Sequence, residues 1–447
     1  MAAEAVPTTA LDRRFELSAR GTDVRTEVLA GATTFLTMAY IILVNPSILG
    51  LAGMPVAAVA AATCIAAGFA SILMGFAANT PLALAPGMGL NAYFSFTVVQ
   101  TMGIPWPVAL GCVFVSGVVF LLLTFAGVRQ LIIATIPPHL FAAVAGGIGL
   151  FIGFIGLKDA GLIVASPATF VTLGNLHAPG ALLALFGLVV IAVLAAWKVR
   201  AAILIGIVVT TLAAWLAGQL NLQTQPYDLT AISQTAFHLD LAGVFGADGR
   251  RGLGLFEILF VFLFVDLFDN IGTLVGVTKR AGLVDENGNV PRLNRILFTD
   301  SIATIFGSLM GTSTVTSYIE SAAGVQAGGR TGLTAIVTGV LFLAATFVAP
   351  YAQLVPLAAT APALILVGGL MMAPLVEVEW NDPEVAIPAF LTVAMIPLTF
   401  SIANGLAFGL TAHALLKLLR GRITRTDWLL LVLAVLFVAR FIWLSAS

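Results

Sequence analysis

From Glu27 onward, long apolar runs alternate with short polar breaks. The runs fall near residues 27–45, 56–77, 84–101, 106–127, 138–157, 179–196, 200–220, 254–278, 296–310, 312–327, 332–350, 361–376, 385–400 and 403–420. Stretches such as Ala181–Trp197 and Ala201–Leu220 approach the ~20 residues an α-helix needs to cross the hydrocarbon core. The pattern predicts an all-α polytopic membrane protein with fourteen transmembrane segments. A further apolar stretch, Asp427–Leu444, reads equally as another span or as a helix lying on the membrane surface.

Two of the runs are broken. Leu84–Gln100 carries APGMGLNAYF at Ala85–Phe94, and Met310–Val325 reads MGTSTVTSYIESAAGV. Each opens with small or turn-prone residues where a membrane helix should already be running, then turns helical around Asn91 or Glu320. The pattern predicts extended backbone over Leu82–Pro86 and Gly311–Val315, followed by half-helices from near Gly87 and near Thr316. Non-helical backbone at membrane depth is tolerated only where protein buries it or where it lines a cavity. The free N–H groups of a half-helix can face that cavity. Discontinuous segments at matching places in two halves mark the substrate site of a secondary transporter.

The polar loop Asn221–Gly252, with Asp228, Asp240, Asp248, Arg250 and Arg251, separates two sets of seven runs. Seven is odd, so the second set enters the membrane from the opposite side, giving a 7+7 inverted repeat. Spans three and ten are the broken pair. Span five carries Gly146, Gly147 and Gly149, and span twelve Gly368 and Gly369; glycines of this kind read first as close helix packing.

Composition agrees: 60% of residues are hydrophobic and 9% charged, against ~25% charged in soluble domains. Lys and Arg concentrate at cytoplasmic ends. An N-terminus inside places nearly all of them there, with Lys158, Arg250 and Arg251 outside. Residues 1–26 then read as a retained cytoplasmic tail. No basic stripe points to nucleic acid. Cys64 and Cys112 lie in apolar runs, and the four histidines show no ligand spacing, so neither a metal nor another cofactor is expected. Gly87–Ala92 loosely matches a dinucleotide fingerprint but lacks the βαβ context that gives the pattern meaning.

Ionisable residues inside a membrane are costly and point to function. Asp266 and Asp269, in LFVDLFDNIGTL, are three residues apart and share one helical face. Glu320 lies in span ten; Asp300 opens span nine near arginines and reads as a cap or ion-pair partner. Asn91 reads either as a ligand or as a packing hydrogen bond. Phe268 and Tyr318, like Tyr93 and Phe94, could stack on a ring or simply pack. Gly89 and Thr316, beside the breaks, complete the candidate substrate-binding set. Backbone donors and acceptors, one amide and several carboxylates suit a small planar heterocycle.

The motifs APGMGLNAYF at Ala85–Phe94, FVDLFDNIGTLVGV at Phe264–Val277 and GTSTVTSYIESAAGVQAGGRTGLTA at Gly311–Ala335 resemble those of the AzgA-like purine permeases. These are adenine, guanine and hypoxanthine carriers of the nucleobase-cation symporter 2 group. The resemblance runs from about Asp12 to Arg425. It implies a core domain of spans one to four and eight to eleven, and a gate domain of spans five to seven and twelve to fourteen. The expected divisions are 1–26, 27–127 (core), 128–220 (gate), 221–253 (loop), 254–350 (core), 351–420 (gate) and 421–447. It also implies multi-pass residence in the plasma (inner) membrane and import of purines with a proton as coupling ion. Alternating access would come from an elevator-like or rocking motion of core against gate. By similarity Asn91, Asp269 and Glu320 contact the purine, Asp266 is the neighbouring aspartate of the motif, and Asp269 and Glu320 handle the proton. Related carriers suggest a homodimer. Uracil and xanthine branches usually carry glutamate where this chain has Asp269, which favours the purine branch. A uracil or xanthine symporter remains the nearest alternative. An anion exchanger would want a cation at the half-helix ends, and an intramembrane enzyme a catalytic constellation; the sequence offers neither.

Overall fold

The computed structural model describes residues 9–127, 137–220, 229–245, 249–280, 283, 290–423 and 427–444, without some side chains in these stretches, notably that of Asp269. It is mostly helical, and among the described residues seven helices are long and apolar enough to cross a membrane, with five shorter apolar helices beside them. The helices of the first half are α1 (Ala10–Phe15), α2 (Val24–Met38), α3 (Ile41–Gly50), α4 (Val56–Ala78), α5 (Met88–Ala92), α6 (Trp106–Phe125), α7 (Pro138–Asp159), α8 (Pro179–Ala196) and α9 (Ala202–Leu216). After the loop helix α10 (Leu241–Phe245) come α11 (Gly249–Arg280), α12 (Leu293–Met310), α13 (Ser321–Gln326), α14 (Gly332–Ala345), α15 (Leu357–Met371), α16 (Pro383–Leu398), α17 (Ile402–Leu419) and α18 (Trp428–Leu444). Every apolar run of the sequence is matched by one of these. Prolines sit at the first turns of α6, α7, α8 and α16, where the missing N–H costs nothing.

Both broken segments are entered the same way. α4 ends on Asn79 and α12 on Gly311, each left-handed (φ 51° and 92°), which turns the chain back into the protein. It then runs extended as β1 (Leu84–Pro86) and β4 (Val315–Ser317), which pair antiparallel with Leu84 opposite Ser317 and Pro86 opposite Val315. A second ribbon, β2 (Ile163–Ser166) with β3 (Phe170–Leu173), caps α7 at the surface. The exits differ. α5 begins at once after Gly87 and continues through Tyr93–Thr101 with widened turns, the Met102 N–H reaching Thr97. The second half-helix does not start near Thr316. β4 holds Thr316, the Tyr318 N–H still donates to Ala83 at 3.0 Å, and α13 starts only at Ser321. Pairing with β1 keeps Val315–Ser317 extended, a conformation that its β-branched residues favour.

Other expectations are corrected too. Asp300 is no cap: it lies two turns inside α12 and is fully buried. The segment after the undescribed residues 1–8 is docked rather than free: Arg20 donates to the carbonyls of Asn79 (3.0 Å) and Arg330 (3.1 Å), and Glu16 pairs with Arg20 and Arg292, each at 2.7 Å. These two guanidinium groups hold the Glu16 carboxyl below its usual range even though burial opposes them. Loop 221–253 contains α10 and the start of α11, and the Phe237 N–H meets Leu309 at 2.7 Å. Arg250 and Arg251 side chains and residues 128–136 lie outside what is described.

Close packing joins helices distant in sequence. α4 and α14 meet along Gly68, Gly75, Gly332 and Gly339, where a Cβ on Gly339 would stand 2.6 Å from the Gly68 carbonyl. α7 and α15 meet at Gly149 and Gly368, where a Cβ on Gly149 would lie 2.6 Å from the Gly368 carbonyl. Gly369 faces open space. α18 runs back along α17: Lys417 pairs with Asp427 at 2.7 Å at one end, and Phe408 meets Phe441 with centroids 5.2 Å apart further along. Phe437 packs on Phe260 of α11 at 5.3 Å.

Candidate functional site

The two strands bring the broken segments into one buried place. The Gly87 N–H, at the mouth of α5, donates to the Thr314 carbonyl at 2.9 Å, so the first half-helix begins where the opposite strand begins. From there Asn91 projects into a polar set with no exposure at all. Its Nδ2 donates to Asn45 Oδ1 at 2.5 Å, and its Oδ1 accepts from Ser313 Oγ of the other segment. Asn45 Nδ2 donates onward to Thr63 Oγ1 (2.7 Å) and Thr312 Oγ1 (2.9 Å). Four elements are therefore tied by side-chain hydrogen bonds in a buried interior, where leaving one unmade costs about 1–3 kcal/mol.

Tyr318 is buried just beyond β4 and its hydroxyl donates to the Pro86 carbonyl at 2.5 Å, stapling the strands. Glu320 immediately precedes α13 and is half-buried; its Oε1 accepts from the Tyr40 hydroxyl at 2.6 Å. Tyr40 stands where the first span breaks between α2 and α3. The Thr316 hydroxyl is buried and has no hydrogen-bond partner among the described residues. Gly89 abuts α7: a Cβ there would lie 2.6 Å from Ile148 Cγ2. Phe268 of α11 also meets α7, its ring 4.7 Å from that of Phe141. Asp266 is buried on α11. Asp269 lies on the same helix, but its side chain is outside the described residues.

Asn91, Tyr318, Thr316 and Gly89 are thus gathered around the strand crossing. Glu320 stands at its far end and Phe268 at the α7 boundary. Sequence reading missed Asn45, Tyr40, Thr63 and Ser313. Ser313 stood inside the singled-out stretch Gly311–Val315 without being picked out, and the other three showed only as polar residues inside apolar runs, as in AYIILVNPSIL, which says nothing about the partner. His139 and His413, distant in sequence, come to 5.0 Å between ring centroids. Among the described residues no group of three or more His, Cys, Asp or Glu could hold a metal ion.

The sequence profile of the Permease family (Xan_ur_permease) matches residues 25–408. This chain belongs to that family. The permease is 48% identical to the adenine permease AdeP of Escherichia coli (strain K12), over 98% of this chain and 97% of that protein. It is 44% identical to the guanine/hypoxanthine permease PbuG of Bacillus subtilis (strain 168), over 96% and 99%. The resemblance to AzgA-like permeases read from three motifs is borne out, and the protein is a multi-pass membrane transporter rather than an enzyme. Among solved structures, the transmembrane domain of a cyanobacterial bicarbonate transporter, BicA, matches with a TM-score of 0.61 at 18% identity, over 86% of this chain and 96% of that one. The murine anion transporter Slc26a9 in its inward-facing state matches with 0.64 at 12%, over 94% and 73%. At those identities the likeness is one of fold.

Proposed function

We propose that this permease imports purine bases (adenine, guanine or hypoxanthine) across the plasma (inner) membrane, with a proton as coupling ion and its N-terminus in the cytoplasm. The observation that carries this reading is the antiparallel crossing of β1 and β4, which joins Asn91 of one broken segment to Ser313 of the other. The names of the relatives AdeP and PbuG supply the chemical class.

The fold supports a fourteen-segment inverted repeat. Asn79 and Gly311 close equivalent helices before equivalent strands, as two inverted copies would. In this reading α2–α6 and α11–α14 form the core and α7–α9 and α15–α17 the gate. The purine sits between the strand crossing and α7, bounded by Gly89, Thr316, Phe268 and Tyr318. Asn91 and the backbone of the strands hydrogen-bond it, and Asp266, Asp269 and Glu320 supply carboxylates. Protonation of Glu320 or Asp269 neutralises the loaded site, so the core can move against the gate, with the gate helices α7 and α15 at the boundary. Pairing of two copies through the gate domain is the expected assembly.

The test is uptake of labelled adenine, guanine and hypoxanthine in cells lacking their own purine carriers, with and without a protonophore. Uptake that collapses with the proton gradient is the expected result. No uptake of any of the three by protein confirmed in the membrane overturns the purine reading, and competition by uracil or xanthine then tests the neighbouring substrates.

A further inference from the structure

We propose that Asn45 and Thr63, neither of which stands in the binding motifs, set the hydrogen-bonding polarity that Asn91 presents to the substrate; the inference rests on the purine reading above. An amide has one donating and one accepting end, and an asparagine can turn either way unless its neighbours forbid it. Here they forbid it in sequence.

The Thr63 hydroxyl spends its single proton on the Val59 carbonyl one helical turn back, at 2.6 Å. Towards Asn45, 2.7 Å away, it can therefore only accept, so Asn45 must turn its NH2 that way. The hydroxyl of Thr312, 2.9 Å from the same nitrogen, takes the second amide hydrogen but, free to donate or accept, does not itself fix the orientation. Asn45 Oδ1 is then left facing Asn91, which must answer with its own NH2. Asn91 Oδ1 consequently points at Ser313, whose hydroxyl donates to it. All four of Asn45, Thr63, Asn91 and Ser313 have no exposure to bulk solvent. A backbone carbonyl in α4 thus decides, three side chains away, which end of Asn91 is which.

The NH2 of Asn91 uses one hydrogen on Asn45, and the purine reading assigns the other to the substrate. The structure therefore assigns Asn91 the part of a fixed donor. A 6-oxo purine offers an acceptor at the place where adenine offers an amino donor, so the locked amide favours hypoxanthine and guanine at this contact. Asn45 and Thr63 act through Asn91 and are positioning residues.

The experiment measures KM for adenine and hypoxanthine and the thermal stability of the purified protein for the native chain, Asn45→Ala, Thr63→Val and Thr63→Ser. Freed from its anchor, Asn91 can turn its carbonyl outward. Asn45→Ala and Thr63→Val should then shift the ratio of the two KM values towards adenine by fivefold or more, while Thr63→Ser, which keeps the hydroxyl, retains the native ratio. A packing role alone would lower the melting temperature without moving the ratio. An unchanged ratio in Thr63→Val, or a shift towards hypoxanthine, overturns the proposal, and should Asn45→Ala fail to fold, Thr63→Val decides. Absence of purine uptake by the native chain overturns the purine reading and takes this inference with it; native uptake with an unmoved ratio overturns this inference alone.

Discussion

The two broken segments begin alike and end differently. Both leave a left-handed helix end, both run three residues of strand, and the strands pair with each other. Beyond the strands, Asn91 of the first is locked between Asn45 and Ser313 with no exposure, whereas Glu320 of the second is half-buried, with the Tyr40 hydroxyl accepted at one oxygen. The first segment thus ties side chains from several elements together, and the second presents a carboxylate held by the Tyr40 hydroxyl. The two segments share a shape up to the strands, and the residues beyond them separate the two.

Substitutions test that division. The largest effect on transport is expected for Glu320→Gln: uptake falls to background, while stability changes by no more than about 1 kcal/mol because one hydrogen bond is at stake. Concentrative uptake by this variant would break the comparison. On stability, Asn91→Ala should cost most, about 3 kcal/mol, since it strands Asn45 Oδ1 and the Ser313 hydroxyl in a buried place. Denaturation in detergent would show it as a lowered midpoint, and a native midpoint would mean that the first segment does not tie those elements together.

Smaller changes sharpen the contrast. Gly89→Ala drives a methyl against Ile148, and overpacking of this kind costs about 1–3 kcal/mol; slowed uptake with little change in KM would place Gly89 at a moving boundary. Tyr318→Phe removes the bond to Pro86 and should cost about 1 kcal/mol, read as a slightly lowered denaturation midpoint. The smallest effect concerns the docked N-terminal segment that brackets both broken segments. Glu16 has a lowered carboxyl pKa, so its contribution is present above the ordinary carboxylate range and is lost as pH falls through that lowered value. Its side chain is 42% exposed, so screening keeps the contribution below about 1 kcal/mol. Melting curves of Glu16→Gln and the native chain should differ slightly near neutrality and converge in acid.

How much of this was legible in the chain follows from the range of each force. Periodicity of apolar residues is local, so the runs, the breaks at Pro86–Gly87 and Gly311, and the membrane class could be read directly. So could Asn91 and Glu320, because a polar residue beside a break in an apolar run is conspicuous. The start of α13 could not be read: Thr316 is extended because β1, more than two hundred residues earlier, supplies its hydrogen bonds. The same holds for Asp300, which the nearby arginines made look like a cap although it is buried inside α12.

The sequence by itself determined that this is a helical membrane carrier with two interrupted segments, because hydrophobic patterning and turn residues act within a few positions of themselves. Only the tertiary structure decided that the interruptions pair as strands, that Tyr40 meets Glu320, that α18 runs back along α17, and that Asn45 and Thr63 stand behind Asn91. Each of those depends on directional hydrogen bonds or close packing between residues far apart in the chain, and sequence spacing carries no record of which distant partner will be brought within reach.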